Sequence, residues 1–219
     1  SELGETTEIP LSIDKTPQQN AQAYFKKYNK ARTAFQYSEK EIEVLKAEIT
    51  YLESVIFAIE NAGSPEELTQ IRLELHEQGY LKAAEKKGHK GGKSRRPRTV
   101  QILPLKVISS EGFEILIGRN NKENDKLTLK TARHEDIWFH IKNFPGSHVV
   151  IRTEGREVPD SALVEAAQYA AWYSKARSAP KVEVDYTAIR NVKKPSGAKP
   201  GMVIYVNYNT LSVAPKKPQ

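Results

Sequence analysis

The chain has 219 residues, 38% of them hydrophobic and 28% charged, which is enough for one or two domains with their own cores. It has no cysteine, which excludes a disulfide framework, thiolate zinc sites and cysteine nucleophiles. It also has no apolar run of about 18 residues, and its acidic start, SELGETTEIP, lacks the apolar segment of a signal peptide. We therefore expect a cytoplasmic protein without membrane insertion.

The net charge of +7 is unevenly distributed along the chain. Residues 1–85 carry 9 Lys/Arg against 15 Asp/Glu, whereas residues 86–99 carry 7 basic residues and no acidic one. Residues 100–219 carry 18 basic residues against 12 acidic ones. Positive charge concentrated in one part of a chain is typical of a protein that binds a polyanion.

Residues 1–15 contain one short alternating stretch, IPLSI (Ile9–Ile13), which has the pattern of a strand. A single strand is not stable by itself in water. We therefore interpret residues 1–15 as the end of a truncated middle segment of a longer protein.

A long helix is predicted from Thr16 onwards. Thr16 is a good N-cap, Pro17 suits the first helical position, and Gln19 completes a capping box. Apolar residues then recur in steps of three and four, interrupted only by Ser38, as in a coiled-coil seam. This seam consists of Ala21, Tyr24, Tyr28, Ala31, Phe35, Ser38, Ile42, Leu45, Ile49, Leu52, Ile56 and Ile59.

A second helix follows a short connection. Gly63 can end the first helix, and Ser64-Pro65-Glu66-Glu67 provides a second capping box. The second helix should end near Gly79 or Lys82. Its apolar positions are Leu68, Ile71 and Leu75. We predict a helical hairpin that forms a coiled-coil arm over residues 16–85.

The two helices of this arm differ in length. At 1.5 Å per residue the first should be about 69 Å long and the second about 25–30 Å. The aromatic-rich half from Ala21 to Phe35 therefore has no partner helix within the chain. We expect weak self-association through this seam, which an upstream helix would fill in a longer protein. The alternative is that the aromatic residues only cap the arm.

The tract KKGHKGGKSRRPRT (Lys86–Thr99) combines three glycines with dense positive charge, which predicts a mobile linker without a packed core. Its cations would neutralise phosphates and make RNA binding depend strongly on salt. These cations are Lys86, Lys87, Lys90, Lys93, Arg95, Arg96 and Arg98. A linker that only aids solubility is the alternative.

In residues 100–219, apolar and polar residues alternate over several short stretches, as in short strands, and one longer stretch has a helical pattern. The Ala-rich stretch SALVEAAQYAAWYSKAR, capped by Asp160 or Ser161, predicts a helix of about 16 residues. The predicted strands are ILPLKVIS, FEILIGR, LTLK, DIWFHI, HVVIRT, KVEVDYT, MVIYVN and LSVAP. This order predicts the fold class α+β: a long helical coiled-coil hairpin followed by an antiparallel β-meander with one main helix.

Several blocks of this sequence resemble the NFACT family and its RNA-binding domain, NFACT-R. In the arm, the resemblance covers NAQAYFKKYNKA (Asn20–Ala31) and the stretch from Tyr51 to Lys82. In the second half, it covers Ile117–Ala132, Asp136–Ile151, Ala162–Arg177 and Val192–Asn207, in the family's order. The resemblance extends over nearly the whole chain and identifies residues 100–219 with the NFACT-R domain.

This resemblance implies a role in ribosome quality control. Full-length members bind the large ribosomal subunit with a stalled nascent chain and recruit tRNA, so that an untemplated tail is added. The large subunit, rRNA and tRNA are then the implied partners. The family's tRNA-recruiting Asp-Arg pair belongs to an N-terminal domain outside this sequence. The family also implies an alternative function. In that alternative, the protein is a cell-surface adhesin that lacks a signal peptide, binds fibronectin or fibrinogen and contributes to virulence.

The stretch DIWFHIKNFPGSHVVI (Asp136–Ile151) concentrates the polar chemistry of the second half. In a strand, Trp138 and His140 share one face, and a turn at NFPG would bring His148 close to His140. These residues form either a platform for RNA bases or, in the alternative, a structural core around Trp138. The candidate RNA-binding residues of the domain are Arg119, Asn120, His140, Ser147, His148, Lys193, Lys194 and Lys199.

The same stretch is a poor candidate for catalysis or metal binding. A zinc site needs three or four ligands, and the nearby His134, Glu135 and Asp136 have no standard spacing. Ser147 and His148 are adjacent on a strand and point to opposite faces, which is unsuitable for a nucleophilic pair. We expect a protein that is not an enzyme and has no metal or cofactor.

Overall fold

A computed structural model describes residues 7–82 and 103–218. The basic tract Lys86–Thr99 lies outside the described residues, and its linker role stays a prediction. The chain divides into two compact units, Ser1–Glu48 and Ile49–Gln219.

The first unit is built on helix α1, Pro17–Glu60, which continues into the second unit. The predicted capping box is confirmed: the Gln19 N–H donates to Thr16 Oγ1 over 3.2 Å, and the Thr16 N–H donates to Gln19 Oε1 over 2.9 Å. The strand suggested for Ile9–Ile13 is wrong, because this stretch has no strand pairing and is exposed. Instead, the buried amide of Asn20 hydrogen-bonds with both the N–H and the carbonyl of Ser12, so the segment folds back onto the helix start.

The seam of α1 is exposed along the first unit. Tyr28, Phe35, Ile42 and Leu45 keep 49–64% of their surface accessible. The predicted apolar stripe is therefore present, and no other described residue covers these four side chains.

The second unit begins with the helical hairpin between the end of α1 and helix α2, Pro65–Glu77. Its small core consists of Tyr51, Val55, Ala58 and Ile71. The predicted seam is wrong here by one position, since Ile56 and Ile59 are exposed. The buried residues lie on the adjacent stripe of the helix, which includes Tyr51, the donor of a buried hydrogen bond to Glu74.

Both ends of α2 follow the sequence prediction. Ser64 Oγ accepts the N–H of Glu67 over 3.3 Å, and the Glu67 carboxylate accepts the N–H of Gly63 over 2.7 Å. At the other end, Gly79 adopts a φ of 81° and allows the Tyr80 N–H to bond back to the carbonyl of Leu75.

The described remainder of the unit contains eight strands, in two sheets. The strands are β1 Leu105–Ile108, β2 Glu114–Ile117, β3 Ile137–Ile141, β4 Val149–Ile151, β5 Val182–Ala188, β6 Val192–Lys193, β7 Ile204–Tyr205 and β8 Asn209–Val213. Six of them form an antiparallel sheet in the order β1-β2-β4-β3-β5-β8, and β6 pairs with β7 in a second sheet. The predicted α+β class is confirmed. Strands β3 and β4 form a hairpin whose second strand returns beside β2.

One face of this sheet packs against the main helix, α4, Asp160–Trp172. Its core joins the alternate strand residues Ile115, Ile117, Phe139, Ile141, Val149 and Ile151 to the helix residues Ala162, Ala166, Ala167 and Ala170. The helix is shorter than predicted and has Pro159 as its N-cap, without a side-chain cap. It ends at Trp172 because the next turn pairs with another segment: the Tyr173 carbonyl accepts the N–H of Ser147 over 2.8 Å.

The segment between β2 and β3 is helical. Helix α3, Asn121–Lys126, continues into a π-helical turn, Leu127–Thr131. The strand predicted for LTLK is therefore wrong. Asn120 caps α3 by accepting the N–H of Glu123 over 2.9 Å. The helical conformation that begins there includes the LTLK residues.

Across the described ranges, no helix combines the length and apolar character needed to cross a membrane.

Candidate nucleic-acid interface

The face of the sheet opposite α4 is centred on Trp138. Its indole is fully buried and stacks on His140, with ring centroids 5.7 Å apart and an angle of 11° between the planes. Tyr205 and His148 pack on it at 4.9 and 5.2 Å. The predicted common face of Trp138 and His140 is confirmed, but Trp138 is core and offers no free ring to a base.

His140 and His148 lie close together, as expected from a turn at NFPG, with ring centroids 5.4 Å apart. Burial lowers the pKa of His140 to about 4 and lowers the pKa of His148 well below its usual value. His148 is 2% exposed, and its Nδ1 lies 2.7 Å from Thr128 Oγ1. Both rings are therefore neutral at neutral pH, and only the half-buried His140 remains accessible.

The predicted turn at NFPG connects β3 and β4, and in it Asn143 has a positive φ of 61°. Gly146 is required for packing, since a Cβ there would lie 2.9 Å from Ile141 Cγ2 and 3.0 Å from Ser174 Cβ. Phe144, at the tip, is 52% exposed.

These elements enclose a cleft of about 410 Å³. One wall comes from the end of α1 and another from α3, while the β3–β4 turn and the segment around Gly201 complete it. The residues that line it include Glu53, Ser54, Asn121, Asn124, Trp138, His140, Phe144, His148, Met202 and Tyr205. The cleft thus combines aromatic surface with amide, imidazole and hydroxyl groups.

The loop from Lys193 to Gly201 is attached beside this cleft. Asp125 forms an ion pair with Lys194 and accepts the N–H of Gly201 over 3.0 Å. Gly201 has a φ of 79°, and a Cβ there would lie 2.8 Å from Asn121 Oδ1. Lys199 lies over the rings of Tyr80 and Tyr51, at 4.8 and 5.5 Å, and Lys193 is exposed.

The remaining predicted RNA-binding residues of the domain are buried or paired with other side chains. Arg119 forms ion pairs with Glu67 and Glu123, at 2.7 and 3.3 Å. Asn120 is buried and donates to Gln70 over 3.0 Å, in addition to capping α3. Ser147 and His148 are 4% and 2% exposed. Burial or internal partners thus restrict the polar groups of these four residues, and their contact with RNA stays a prediction.

A buried polar cluster attaches the helical hairpin to the sheet domain within the second unit. Tyr51 Oη donates to Glu74 Oε1 over 2.9 Å. Asn121 Nδ2 lies 3.1 Å from the same oxygen and 2.9 Å from Ser54 Oγ. Burial raises the pKa of the Glu74 carboxyl. Sequence reasoning assigned Tyr51 and Glu74 no role, although a Glu on the apolar side of a short helix could have indicated one.

Sequence reasoning also missed Asn124 and Phe144. The Asn124 side chain accepts the backbone N–H of His148 over 3.0 Å and fixes the start of β4 against α3. Phe144 was interpreted only as part of a turn. An aromatic residue at the tip of a turn was the available signal for a surface role.

In the part of the chain that the structure describes, no three His, Cys, Asp or Glu side chains form a group that could hold a metal ion.

Comparison with known proteins identifies the class. The NFACT N-terminal and middle domains match residues 1–94, and the NFACT protein RNA-binding domain matches residues 104–207. The chain belongs to the NFACT family and carries its RNA-binding domain.

Two of the similar proteins are Rqc2 homologs. The Rqc2 homolog RqcH of Bacillus subtilis is 44% identical over 210 residues, which is 96% of this chain and 35% of that protein. The Rqc2 homolog RqcH of Streptococcus suis is 42% identical over 97% of this chain and 37% of its own length. The chain thus spans little more than a third of these curated relatives.

A solved structure has the same fold. It is the C-terminal part of the fibronectin/fibrinogen-binding protein from Streptococcus suis, with a TM-score of 0.77 and 41% identity. The match covers 91% of this chain and 77% of that one.

Proposed function

We propose that this chain is the RNA- and ribosome-binding part of a ribosome quality-control factor that acts on stalled large-subunit complexes. One observation carries the proposal. Within the RNA-binding domain, the lysine-bearing loop Lys193–Gly201 is fixed beside a polar and aromatic cleft. Cations next to aromatic surface are the combination that binds single-stranded RNA.

The activity of the whole protein is part of this proposal. Its tRNA recruitment and tail addition would require domains of the longer relatives, while this chain would supply contacts to rRNA or tRNA. We propose binding rather than catalysis. A factor that acts on ribosomes works in the cytoplasm, and this is where we expect the protein.

The test is RNA and large-subunit binding as a function of salt. Replacing the seven cations from Lys86 to Arg98 by glutamine should weaken binding and flatten the plot of log K against log salt. Each lost phosphate contact should reduce that slope by roughly 0.7–0.9. The loop variant Lys193→Gln with Lys199→Gln should act in the same direction.

A matched control removes the same charge elsewhere. Lys181→Gln with Lys217→Gln changes two exposed lysines outside the loop and should leave the slope closer to that of the unchanged chain. If the tract, loop and control variants all bind like the unchanged chain, the proposed RNA-binding surface is wrong.

The second candidate function is an adhesin. It is favoured by one observation, the 41% identity to a protein described as fibronectin/fibrinogen-binding. Binding to immobilised fibronectin should be measured at about 0.15 M salt and at several-fold higher salt. A specific contact should persist, whereas attraction between a basic protein and an acidic glycoprotein should be screened.

A further inference from the structure

The cleft has the size and lining of a binding site for a small, flat, neutral molecule. Its volume of about 410 Å³ lies within the range of roughly 300–1,000 Å³ typical of ligand sites. Its accessible aromatic surface comes from Phe144 and the half-buried Tyr205, and the half-buried His140 supplies a polar ring beside them. Such a site can enclose a heteroaromatic ring and hydrogen-bond its edge.

The charge of the cleft favours a neutral ligand. His140 and His148 lose their positive charge through burial, and the Glu53 carboxylate in the lining is ion-paired with Lys175 over 3.4 Å. The residues that line the cleft therefore offer a phosphate no unpaired positive charge. A neutral imidazole has one donor and one acceptor nitrogen, which suits the mixed edge of a nucleobase.

The lysines beside the cleft favour a base that belongs to a nucleic-acid strand with a phosphate backbone. Lys199 precedes the cleft-lining Gly201 by two residues, and Lys193 is exposed in the same loop. Phosphates could bind to these cations while the base occupies the cleft. Phe144 lines the cleft with half of its surface exposed, so that its ring can stack on an entering base.

We propose that this cleft binds one unstacked nucleobase of an RNA strand. The inference rests on the proposed RNA-binding function and names the chemical group that the domain recognises. The loop cations contribute affinity for any strand, while the cleft selects unpaired nucleotides.

The experiment uses free nucleosides, which carry no phosphate and therefore test the cleft independently of the cations. Adenosine, guanosine, cytidine and uridine are titrated while tryptophan fluorescence is recorded. The chain has two tryptophans, and a Trp172→Phe background leaves Trp138 as the single reporter. At least one nucleoside should change its emission saturably. Phe144→Ala should weaken that binding about five- to tenfold.

The controls separate stacking and hydrogen bonding from misfolding. Phe25→Ala removes an aromatic side chain that is 65% exposed in the other compact unit, and it should bind nucleosides normally. His140→Gln, which keeps a donor and an acceptor, should retain more affinity than His140→Leu. Thermal unfolding must show that each variant is folded.

The pH dependence gives a further readout. With His140 neutral, nucleoside affinity should be constant between pH 6 and 8. Affinity that falls as the pH rises through that range would indicate an imidazolium ligand and would overturn the proposal.

The outcomes distinguish this inference from the proposed function. If RNA binds in the salt-dependent manner but no nucleoside binds, and Phe144→Ala has no effect on RNA, the base site is wrong and the RNA-binding function stands. If nucleosides bind at the cleft and RNA does not bind, the cleft is a nucleoside site, and both the RNA-binding function and the recognition of a base within an RNA strand are wrong.

Discussion

Tyr51, near the end of the long helix, donates a 2.9 Å hydrogen bond to Glu74 of the second helix, and both side chains are almost completely buried. The partner is a carboxylate that also receives the Asn121 amide. Because the cluster is buried, removing one of its hydrogen-bonding atoms should destabilise the hairpin.

Tyr51→Phe should lower the free energy of unfolding by about 1–3 kcal/mol, because Glu74 loses a donor while remaining buried. Urea denaturation followed by circular dichroism measures the change. Tyr37→Phe, at a position that is 68% exposed, is the control and should be neutral. Equal stability of the two variants would contradict a structural role for the bond.

Gly118→Ala should be destabilising for a steric reason. A Cβ at this position would lie 2.2 Å from Asn124 Oδ1, the atom that accepts the N–H of His148. The displaced amide would leave that donor unpaired, and we expect a loss of about 1–3 kcal/mol. The measurement is the midpoint of thermal and urea unfolding.

Gly63→Ala is the matched control for this substitution. The nearest atom to a Cβ there is Glu67 Oε2, at 3.9 Å, and the backbone has no positive φ. Its stability should be close to that of the unchanged chain. A Gly118→Ala variant that is as stable as Gly63→Ala would show that Asn124 rearranges freely.

Folding stability should decrease in mild acid. The unfolded His140 takes up a proton near pH 6.5, whereas the folded residue, with a pKa of about 4, does so only at lower pH. Between these values the unfolded state binds more protons, so stability is complete above pH 6.5 and is lost as the pH falls towards 4. His148 acts in the same direction.

His140→Gln isolates this effect. The variant should flatten the dependence of the unfolding free energy on pH by up to about 1.4 kcal/mol per pH unit between pH 6.5 and 4.5. Glu74 and Glu123, whose pKa values are raised by burial, act in the opposite direction but are present in both proteins. Superimposable pH profiles for the two proteins would show that His140 is not buried in solution.

The exposed seam of the long helix predicts weak, concentration-dependent self-association, since an apolar stripe of this length favours a partner surface. Sedimentation equilibrium of the chain should show it, and Phe35→Glu with Ile42→Glu should abolish it. Thr33→Glu with Gln36→Glu adds the same charge off the seam and should leave association intact. A chain that stays monomeric at high concentration disproves the prediction.

The parts of the fold that sequence predicted well are those fixed by local interactions. Thr16 with Gln19 and Ser64 with Glu67 satisfy helix ends within three or four residues, so their patterns are readable without tertiary information. The strand pattern of DIWFHI is equally local, because its two faces alternate by covalent geometry.

The errors have tertiary causes. The alternation of LTLK fits a strand, but the cap at Asn120 starts a helix that passes through it. The hairpin stripe was misplaced because burial of Tyr51 depends on Glu74 and Asn121, which lie far away in the chain. His148 is among the candidate RNA-binding residues because its chemistry is evident in the sequence, whereas its burial is not.

The cleft could not be predicted from any single motif, since its lining comes from four separate parts of the chain between Thr50 and Tyr205. This origin has a thermodynamic consequence. Any molecule that binds there can bind only the folded state, and its binding free energy adds to the stability of the whole second unit. At a concentration of about 100 times its Kd, such a ligand would add roughly 2.7 kcal/mol. A shift in melting temperature is therefore a general assay for occupants of the cleft, whatever their chemistry.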